Sequence, residues 1–315
     1  MLITGANGFI GRALSVSLAN LGHNVVAISR NAPSYKSKSR CIEWHLQKNL
    51  TLFDDLSLFE GVGCIVHLAG RAHVLNERSS DPETAFLQAN RDTTNKLSQV
   101  ASQCGVKRFI FLSSIGVHGN NSGVKPFSEN SELIPYNAYT RSKLMAENCL
   151  FDICSASSLE AVVIRPPLVY GPGTKGSFLS LLRWLNKGIP LPLGAINNQR
   201  SLIGIDNLVD LIITCIDHPA AANQNFLVSD NEDLSTTELL VRMRNALRKS
   251  TYLLPVPSSL LELGVRSLGK KDVAQRLLGN LQVDISYTKK KLNWMPPVSL
   301  DEGLKKTAEW FLNKR

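Results

Sequence analysis

Met1-Leu-Ile-Thr-Gly5-Ala-Asn-Gly8-Phe-Ile-Gly11 opens the chain, and its reading decides the fold. A short apolar run leads into three glycines spaced G-x-x-G-x-x-G. Ala13, Leu14, Val16, Leu18, Ala19 and Leu21 then recur at helical spacing. Gly22-His-Asn24 stops that helix, and Val25-Val-Ala-Ile28 reads as a buried strand. Strand, glycine turn, helix and strand make a βαβ unit. Gly5 allows the tight turn, Gly8 lets backbone approach a pyrophosphate, and Gly11 lets the helix pack on the strand. Asn7, Phe9 and Ile10 lie inside the turn and belong to the same candidate dinucleotide site. The helix start adds unpaired N–H groups for phosphate.

The alternation continues outward. Cys41-Ile-Glu-Trp44, Cys64-Ile-Val-His-Leu68, Arg108-Phe-Ile-Phe-Leu112 and Ala161-Val-Val-Ile164 read as strands. Residues 84–104 and 137–156 have helical periodicity. This predicts an α/β fold with a doubly wound parallel sheet. Beyond residue 170 the pattern changes. Helices are expected at 178–187, 207–217 and 299–314, and a strand at 225–228. Ser235, with Glu238 three residues on, marks another helix start. Residues 255–282 mix Pro, Gly and basic residues with weak periodicity. The expected division is 1–170 for a dinucleotide-binding domain and 171–315 for a smaller lobe interleaved with the sheet.

Composition bounds the function. Of 315 residues, 43% are hydrophobic and 19% charged, which suits a buried core and excludes a disordered or coiled-coil chain. Lys plus Arg is 35 against 26 for Asp plus Glu, a net charge of +9 that favours anionic ligands. Six scattered cysteines form no C-x-x-C pair and no zinc-like set, so no metal is expected and reduced thiols in a cytoplasmic protein are. No apolar run is long enough to span a bilayer. Lys289-Lys-Lys291 has no interleaved aromatics and reads as a solvated helix face rather than a nucleic-acid patch.

Strand two ends Ala27-Ile28-Ser29-Arg30 where an acidic residue would hold ribose hydroxyls. Arg30 can instead hold a 2′-phosphate, which favours NADP over NAD. Tyr139 and Lys143 stand four apart on one helix face. An ammonium there is expected to lower a phenol that normally titrates near 10. Ser114 follows a parallel strand, the end where such sheets bind ligands. These three are the candidate catalytic set.

With these residues in view, the chain resembles an extended short-chain dehydrogenase/reductase of the sugar-nucleotide epimerase/dehydratase type. The motifs are Thr4–Gly11, His67-Leu-Ala-Gly70, Asn90, Phe111-Leu-Ser-Ser114, Tyr139 with Lys143, Arg165-Pro-Pro-Leu-Val-Tyr-Gly-Pro-Gly173, Arg200-Ser-Leu-Ile-Gly-Ile-Asp206 and Leu292-Asn-Trp-Met-Pro296. The resemblance implies a Rossmann-type sheet with a C-terminal substrate-binding lobe, and a homodimer. It places Leu68, Ala69, Gly70, Asn90, Tyr139, Lys143 and Pro166 around the cofactor, with His45 and Leu46 near the adenine. It places Arg71, His73, Ser114, Ile115, Tyr139 and Pro167 at the sugar, and Arg200 at the diphosphate.

A narrower similarity rests on Arg71-Ala-His-Val74, Phe111–Gly119 and Pro255-Val-Pro257. It points to a bacterial group from O-antigen pathways, often labelled UDP-glucose 4-epimerase. Better-understood members reduce UDP-4-keto-6-deoxy-N-acetylglucosamine to UDP-N-acetylquinovosamine. Pro167 stands where typical UDP-galactose 4-epimerases carry Asn, and Gly116 and His118 depart from the group's usual Lys and Asn. The expected activity is therefore NAD(P)H-dependent reduction at C4 of a UDP-linked 4-keto sugar. The alternative is a 4-epimerase with tightly held NAD, and a remote one is a nucleotide sensor without catalysis. His67 reads as core. His118 and His73 are candidates to touch substrate. Trp184, Trp294 and Trp310 read as core or rim anchors.

Overall fold

The computed structural model describes residues 1–33, 40–49, 55–72, 81–267 and 271–314. Its strands are β1 (Leu2–Thr4), β2 (Val25–Ser29), β3 (Ile42–Leu46), β4 (Cys64–His67), β5 (Arg108–Leu112), β6 (Glu160–Arg165), β7 (Leu168–Tyr170), β8 (Arg200–Gly204), β9 (Gln224–Leu227) and β10 (Asp233–Leu234). Its α-helices are α1 (Phe9–Asn20), α2 (Pro82–Phe86), α3 (Thr93–Gln103), α4 (Ala138–Ser155), α5 (Gly176–Asn186), α6 (Ile205–Asp217), α7 (Thr236–Ala246), α8 (Ser258–Ser267), α9 (Lys271–Leu278), α10 (Ser286–Leu292) and α11 (Leu300–Asn313).

Among the described residues, seven parallel strands form one sheet in the order β3-β2-β1-β4-β5-β6-β9. The strand order reverses beside β1, and the crevice between the ends of β1 and β4 is where such sheets take ligands. Side-chain alternation sends each strand into two cores. Ile3, Ala27, Val66, Ile110, Leu112, Val162 and Ile164 pack under α1 and α6. Leu2, Ile28, Ile65, Phe109, Phe111, Ala161 and Val163 pack under α3 and α4. Both faces are covered, which is why these strands read as continuous apolar runs.

The second half is not a detached unit. Strand β9 extends the sheet, and α6 packs on α1. The rest forms a lobe whose core joins Tyr170, Phe178 and Leu182 to Leu240, Met243, Leu300 and Leu304. The Ser235 cap is met: its hydroxyl accepts from Glu238 N at 3.0 Å, and the Glu238 carboxylate accepts from Ser235 N at 2.8 Å. Ser299 likewise caps α11.

Two features escape the sequence reading. Residues 255–282 hold α8 and α9, whose short amphipathic faces are hidden among Pro, Gly and basic residues. Leu168–Tyr170, Arg200–Gly204 and Asp233–Leu234 form a small second sheet in the order β10-β8-β7. Strands of two to five residues are too short to register as a period. Trp294 is buried, with its indole N–H on Asp210 at 2.7 Å, whereas Trp184 is exposed.

Candidate active site

The site lies along the C-terminal edge of the sheet. Gly5 has φ +70°, and a Cβ there would stand 2.8 Å from Ala69 N. A Cβ on Gly11 would stand 2.3 Å from Gly5 O. The glycines let the turn press against both the β4 end and the first turn of α1. Gly8 begins α1 with no side-chain cap and no acidic residue in the first turn, so its N–H groups face the crevice without competition from a carboxylate. Asn7 anchors the turn: its amide donates to Ala32 O at 3.0 Å, and its oxygen accepts from Arg12 Nη2 at 2.9 Å. Phe9 and Ile10 are half-buried against the core, and Phe9 lies beside Gly173. This cradle fits a dinucleotide diphosphate.

Arg30 is exposed at the end of β2. His45 and Leu46 end the edge strand β3, where the His45 ring meets Glu43 at 3.0 Å and Leu46 is exposed. Past β4, Leu68 N donates to Thr4 O at 3.2 Å, and Ala69 N to Thr4 Oγ1 at 3.3 Å. A Cβ on Gly70 would stand 2.9 Å from Asn90 Oδ1 and 3.4 Å from Lys143 Nζ, so this glycine lets three elements meet. Asn90 sits in a π-helical turn, Leu87–Asp92. Its oxygen accepts from Arg71 N at 2.8 Å, and its amide donates to Arg71 O at 3.2 Å and Ser142 Oγ at 2.8 Å. The Arg71 guanidinium stacks over Phe86. His73 lies outside the described residues.

A capping box fixes the start of α4: Asn137 Oδ1 accepts from Thr140 N at 2.9 Å, and Thr140 Oγ1 from Asn137 N at 3.2 Å. Tyr139 follows two residues in, half-buried, with its ring edge toward Phe86. Lys143 is buried on the same face. Its Nζ donates to Leu112 O at 2.7 Å and lies 4.4 Å from the centre of the Phe111 ring. Ser114 Oγ accepts from Gly116 N at 3.1 Å. Ile115 N donates to Pro166 O at 3.0 Å, which brings the buried Pro166–Pro167 turn beside the Ser114 loop. Arg200 is half-buried at the lobe's edge and gives Nη1 to Gly279 O at 2.9 Å.

The electrostatics correct one expectation. The phenol of Tyr139 is not lowered. Burial pushes it up to about 12, the Ser114 hydroxyl acts the other way, and Tyr136 adds to the rise. Burial pushes the Lys143 ammonium down to about 8, while the Glu147 carboxylate opposes that. The lysine spends its hydrogen bond on a backbone carbonyl rather than on the phenol. His118 is a second correction. It is buried, with Nδ1 at 3.0 Å from Ser131 O and Nε2 at 3.0 Å from Arg165 Nη1, so it faces inward rather than toward the cleft. His67 is core: its Nδ1 meets Thr4 Oγ1 at 2.6 Å, and burial pushes its pKa down to about 3.

Tyr136 escaped the sequence reading. Its ring lies beside Gly116, and it couples electrostatically to both Tyr139 and Arg200. Only its place three residues before Tyr139 could have drawn attention to it.

Among the described residues no helix is long and apolar enough to cross a membrane. A model of the NAD dependent epimerase/dehydratase family matches residues 1–229. A UDP-glucose 4-epimerase of Vibrio cholerae is 44% identical, over 99% of this chain and 95% of its own length. Among solved structures, UDP-glucose 4-epimerase from Thermotoga maritima with UDP-glucose aligns at TM-score 0.80 and 23% identity, covering 99% of this chain and 98% of that one. MoeE5 in complex with UDP-glucose and NAD aligns at TM-score 0.79 and 22% identity, covering 99% and 98%. At these identities the two structures speak to the fold.

Proposed function

The chain belongs to the NAD dependent epimerase/dehydratase family, and on that premise we propose that it is a 4-epimerase of a UDP-linked hexose or N-acetylhexosamine. The observation that carries this is the full-length relationship to a UDP-glucose 4-epimerase, joined to the way Ser114, Tyr139 and Lys143 converge at one sheet edge. This replaces net 4-keto reduction as the leading reading. In the proposal the Gly5–Gly11 turn, Leu68, Ala69, Gly70 and Asn90 hold the dinucleotide. The lobe, through Arg200, helps hold the UDP diphosphate.

The geometry supports the following roles. Tyr139 exchanges a proton with the C4 oxygen of the sugar, as general base and then as general acid. A phenol held near 12 keeps its proton at neutral pH, and to act as a base it needs positive charge nearby. Lys143, one helical turn away and buried, supplies part of that charge. The Ser114 oxygen already accepts from Gly116 N, so its hydroxyl proton is available to the same C4 oxygen. A nicotinamide bound in the crevice supplies the hydride acceptor and donor, and a further positive charge. Arg71 and Ile115 flank the sugar, and Pro167 shapes the floor beside the diphosphate.

A second reading, reduction of a UDP-linked 4-keto-6-deoxy sugar, is favoured by one specific observation. Strand β2 ends at Ser29, and Arg30 follows it exposed, a setting suited to the 2′-phosphate of NADP and to a cofactor that exchanges. One experiment separates the two. Purified protein is denatured and its nucleotide identified by mass. Fresh protein is then given UDP-glucose or UDP-N-acetylglucosamine while absorbance at 340 nm and the sugar anomeric proton are followed. An epimerase releases NAD on denaturation and forms the C4 epimer with no net absorbance change. No epimer from either sugar, with NADPH consumed on a UDP-linked 4-keto sugar, moves the assignment to the reductase.

A further inference from the structure

Behind the candidate active site lies a buried ionic cluster that no step above uses. Tyr139, Lys143 and Glu147 stand at successive turns on one face of α4. Glu147 is 1% exposed and Arg165 3%. Arg165 grips the carboxylate with two of its three guanidinium nitrogens: Nε lies 3.1 Å from Oε1 and Nη2 2.6 Å from Oε2. The Ser113 hydroxyl donates to the same Oε1. The third arm, Nη1, reaches His118 Nε2 at 3.0 Å. On the far side His118 Nδ1 faces the carbonyls of Ser131 and Glu132 at 3.0 and 3.2 Å. Two carbonyls can only accept, so Nδ1 carries the proton and Nε2 receives the guanidinium N–H. The imidazole is held neutral, in one tautomer.

The four side chains come from the segments that carry the site. Ser113 adjoins Ser114. His118 ends the turn that Ser114 begins. Arg165 precedes Pro166 and Pro167. Glu147 shares its helix face with Lys143 and Tyr139. Backbone braces run alongside: Ser113 N to Ile164 O at 2.8 Å and Ile115 N to Pro166 O at 3.0 Å.

We propose that Glu147 and Arg165 are positioning residues for the reaction proposed above: their buried pair locks the Ser114 loop, the Tyr139–Lys143 face of α4 and the Pro166–Pro167 turn into one arrangement and faces a carboxylate toward the Lys143 ammonium. A pair that served only to hold the fold would be replaceable by apolar side chains of similar volume, a swap that buried ion pairs often tolerate. The fork is specific in a way such a swap cannot copy, since one planar guanidinium fixes a carboxylate and an imidazole together. The clamp adds to the reading of Ser114, Tyr139 and Lys143 and rests on it for its catalytic consequence.

The test compares wild-type full-length protein with Glu147→Met/Arg165→Met and with Ser113→Ala. Lysines are labelled with 13C at Cε, the Lys143 resonance is assigned by its loss in Lys143→Met, and its midpoint is read by NMR titration. Melting, UDP binding and turnover of the UDP-sugar are measured beside it. In the double variant we expect a folded protein that binds UDP within threefold of wild type. Its Lys143 midpoint moves about one pH unit lower, and kcat falls at least thirtyfold with KM within threefold. An unmoved midpoint and unchanged kcat in the folded double variant overturn the proposal. Should the double variant not fold, Ser113→Ala decides, because it cuts a tie between the Ser114 segment and the Glu147 carboxylate without stranding a buried charge: a kcat about fivefold lower at unchanged KM supports the clamp, and an unchanged kcat overturns it. The NMR midpoint needs no substrate, so the clamp's effect on Lys143 is judged even if the UDP-sugar assignment fails.

Discussion

Strand β5 begins with one buried arginine, and its neighbour β6 ends with another. Arg108, at the N-terminal edge of the sheet, gives Nε to Glu160 at 2.9 Å and Nη1 to the carbonyls of Cys215, Ile216 and His218 at 2.8, 2.8 and 3.0 Å. Those carbonyls close α6, where helix ends leave acceptors without partners and the dipole favours a cation. Arg108 thus answers other groups of the fold. Arg165, at the opposite edge, is just as buried and just as well paired, yet Lys143 and Tyr139 beside it are held with their pKa values displaced by burial. The same residue type on adjacent strands ties down the fold at one end and, in the role proposed for Arg165, backs the chemistry at the other. Burial displaces groups at both edges, since Cys64 and Cys215 near Arg108 are pushed up to about 12; what differs is that the displaced groups at the ligand-binding edge are a phenol and an ammonium able to trade protons with a ligand.

Lys143→Met breaks the comparison most strongly. Turnover should fall about 100- to 1,000-fold, while stability at pH 7 rises by roughly 1–3 kcal/mol. The sign follows from a folded-state pKa near 8, below the ordinary value of 10.5. Below pH 8 the folded protein carries a buried charge that the unfolded chain carries freely. That cost fades as pH rises from 8 toward 10.5. Urea unfolding at pH 7 and pH 9.5 reads it; loss of turnover with no gain in stability would show the ammonium to be fully compensated.

Arg108→Met should do the reverse. We expect a loss of about 3 kcal/mol in urea unfolding, with kcat of the folded protein unchanged. A large fall in kcat at intact stability would erase the contrast between the two edges.

His67 sharpens it in between, since it ends β4 beside the site yet behaves as core. Its pKa is pushed down to about 3, so the folded state refuses a proton that the unfolded chain accepts below about 6.5. Stability should drop by about 2 kcal/mol between pH 6.5 and pH 5, with His118 acting in the same direction. In His67→Asn most of that pH dependence should vanish, and its persistence would assign the effect elsewhere.

The smallest effect concerns Arg30. Arg30→Ala should weaken NADP binding about five- to tenfold and leave NAD within twofold, read by calorimetry. Equal weakening of both would remove the argument for a 2′-phosphate contact.

Much of this was legible in the chain because the relevant signals are local. The glycine turn, the apolar strands and the Tyr139–Lys143 spacing each sit within a few residues, and each met its expected element. The small lobe sheet was not legible, because β7, β8 and β10 are brief and pair across long separations. Helices α8 and α9 were hidden by their composition. The inward turn of His118 depended on Arg165, far away in sequence, and no spacing rule links the two. The pKa of Tyr139 was misread for a related reason. Helical spacing gives the distance to Lys143, but the direction of the ammonium is set by Leu112 O, and burial depends on the whole fold.

The role proposed for Tyr139 is to move the proton at C4 of a UDP-linked sugar. Tyr139→Phe removes one oxygen and leaves the ring. We expect this variant to bind UDP and the dinucleotide as the wild type does and to interconvert the C4 epimers, followed by the anomeric proton in NMR, at less than a hundredth of the wild-type rate. Turnover within tenfold of wild type would contradict it.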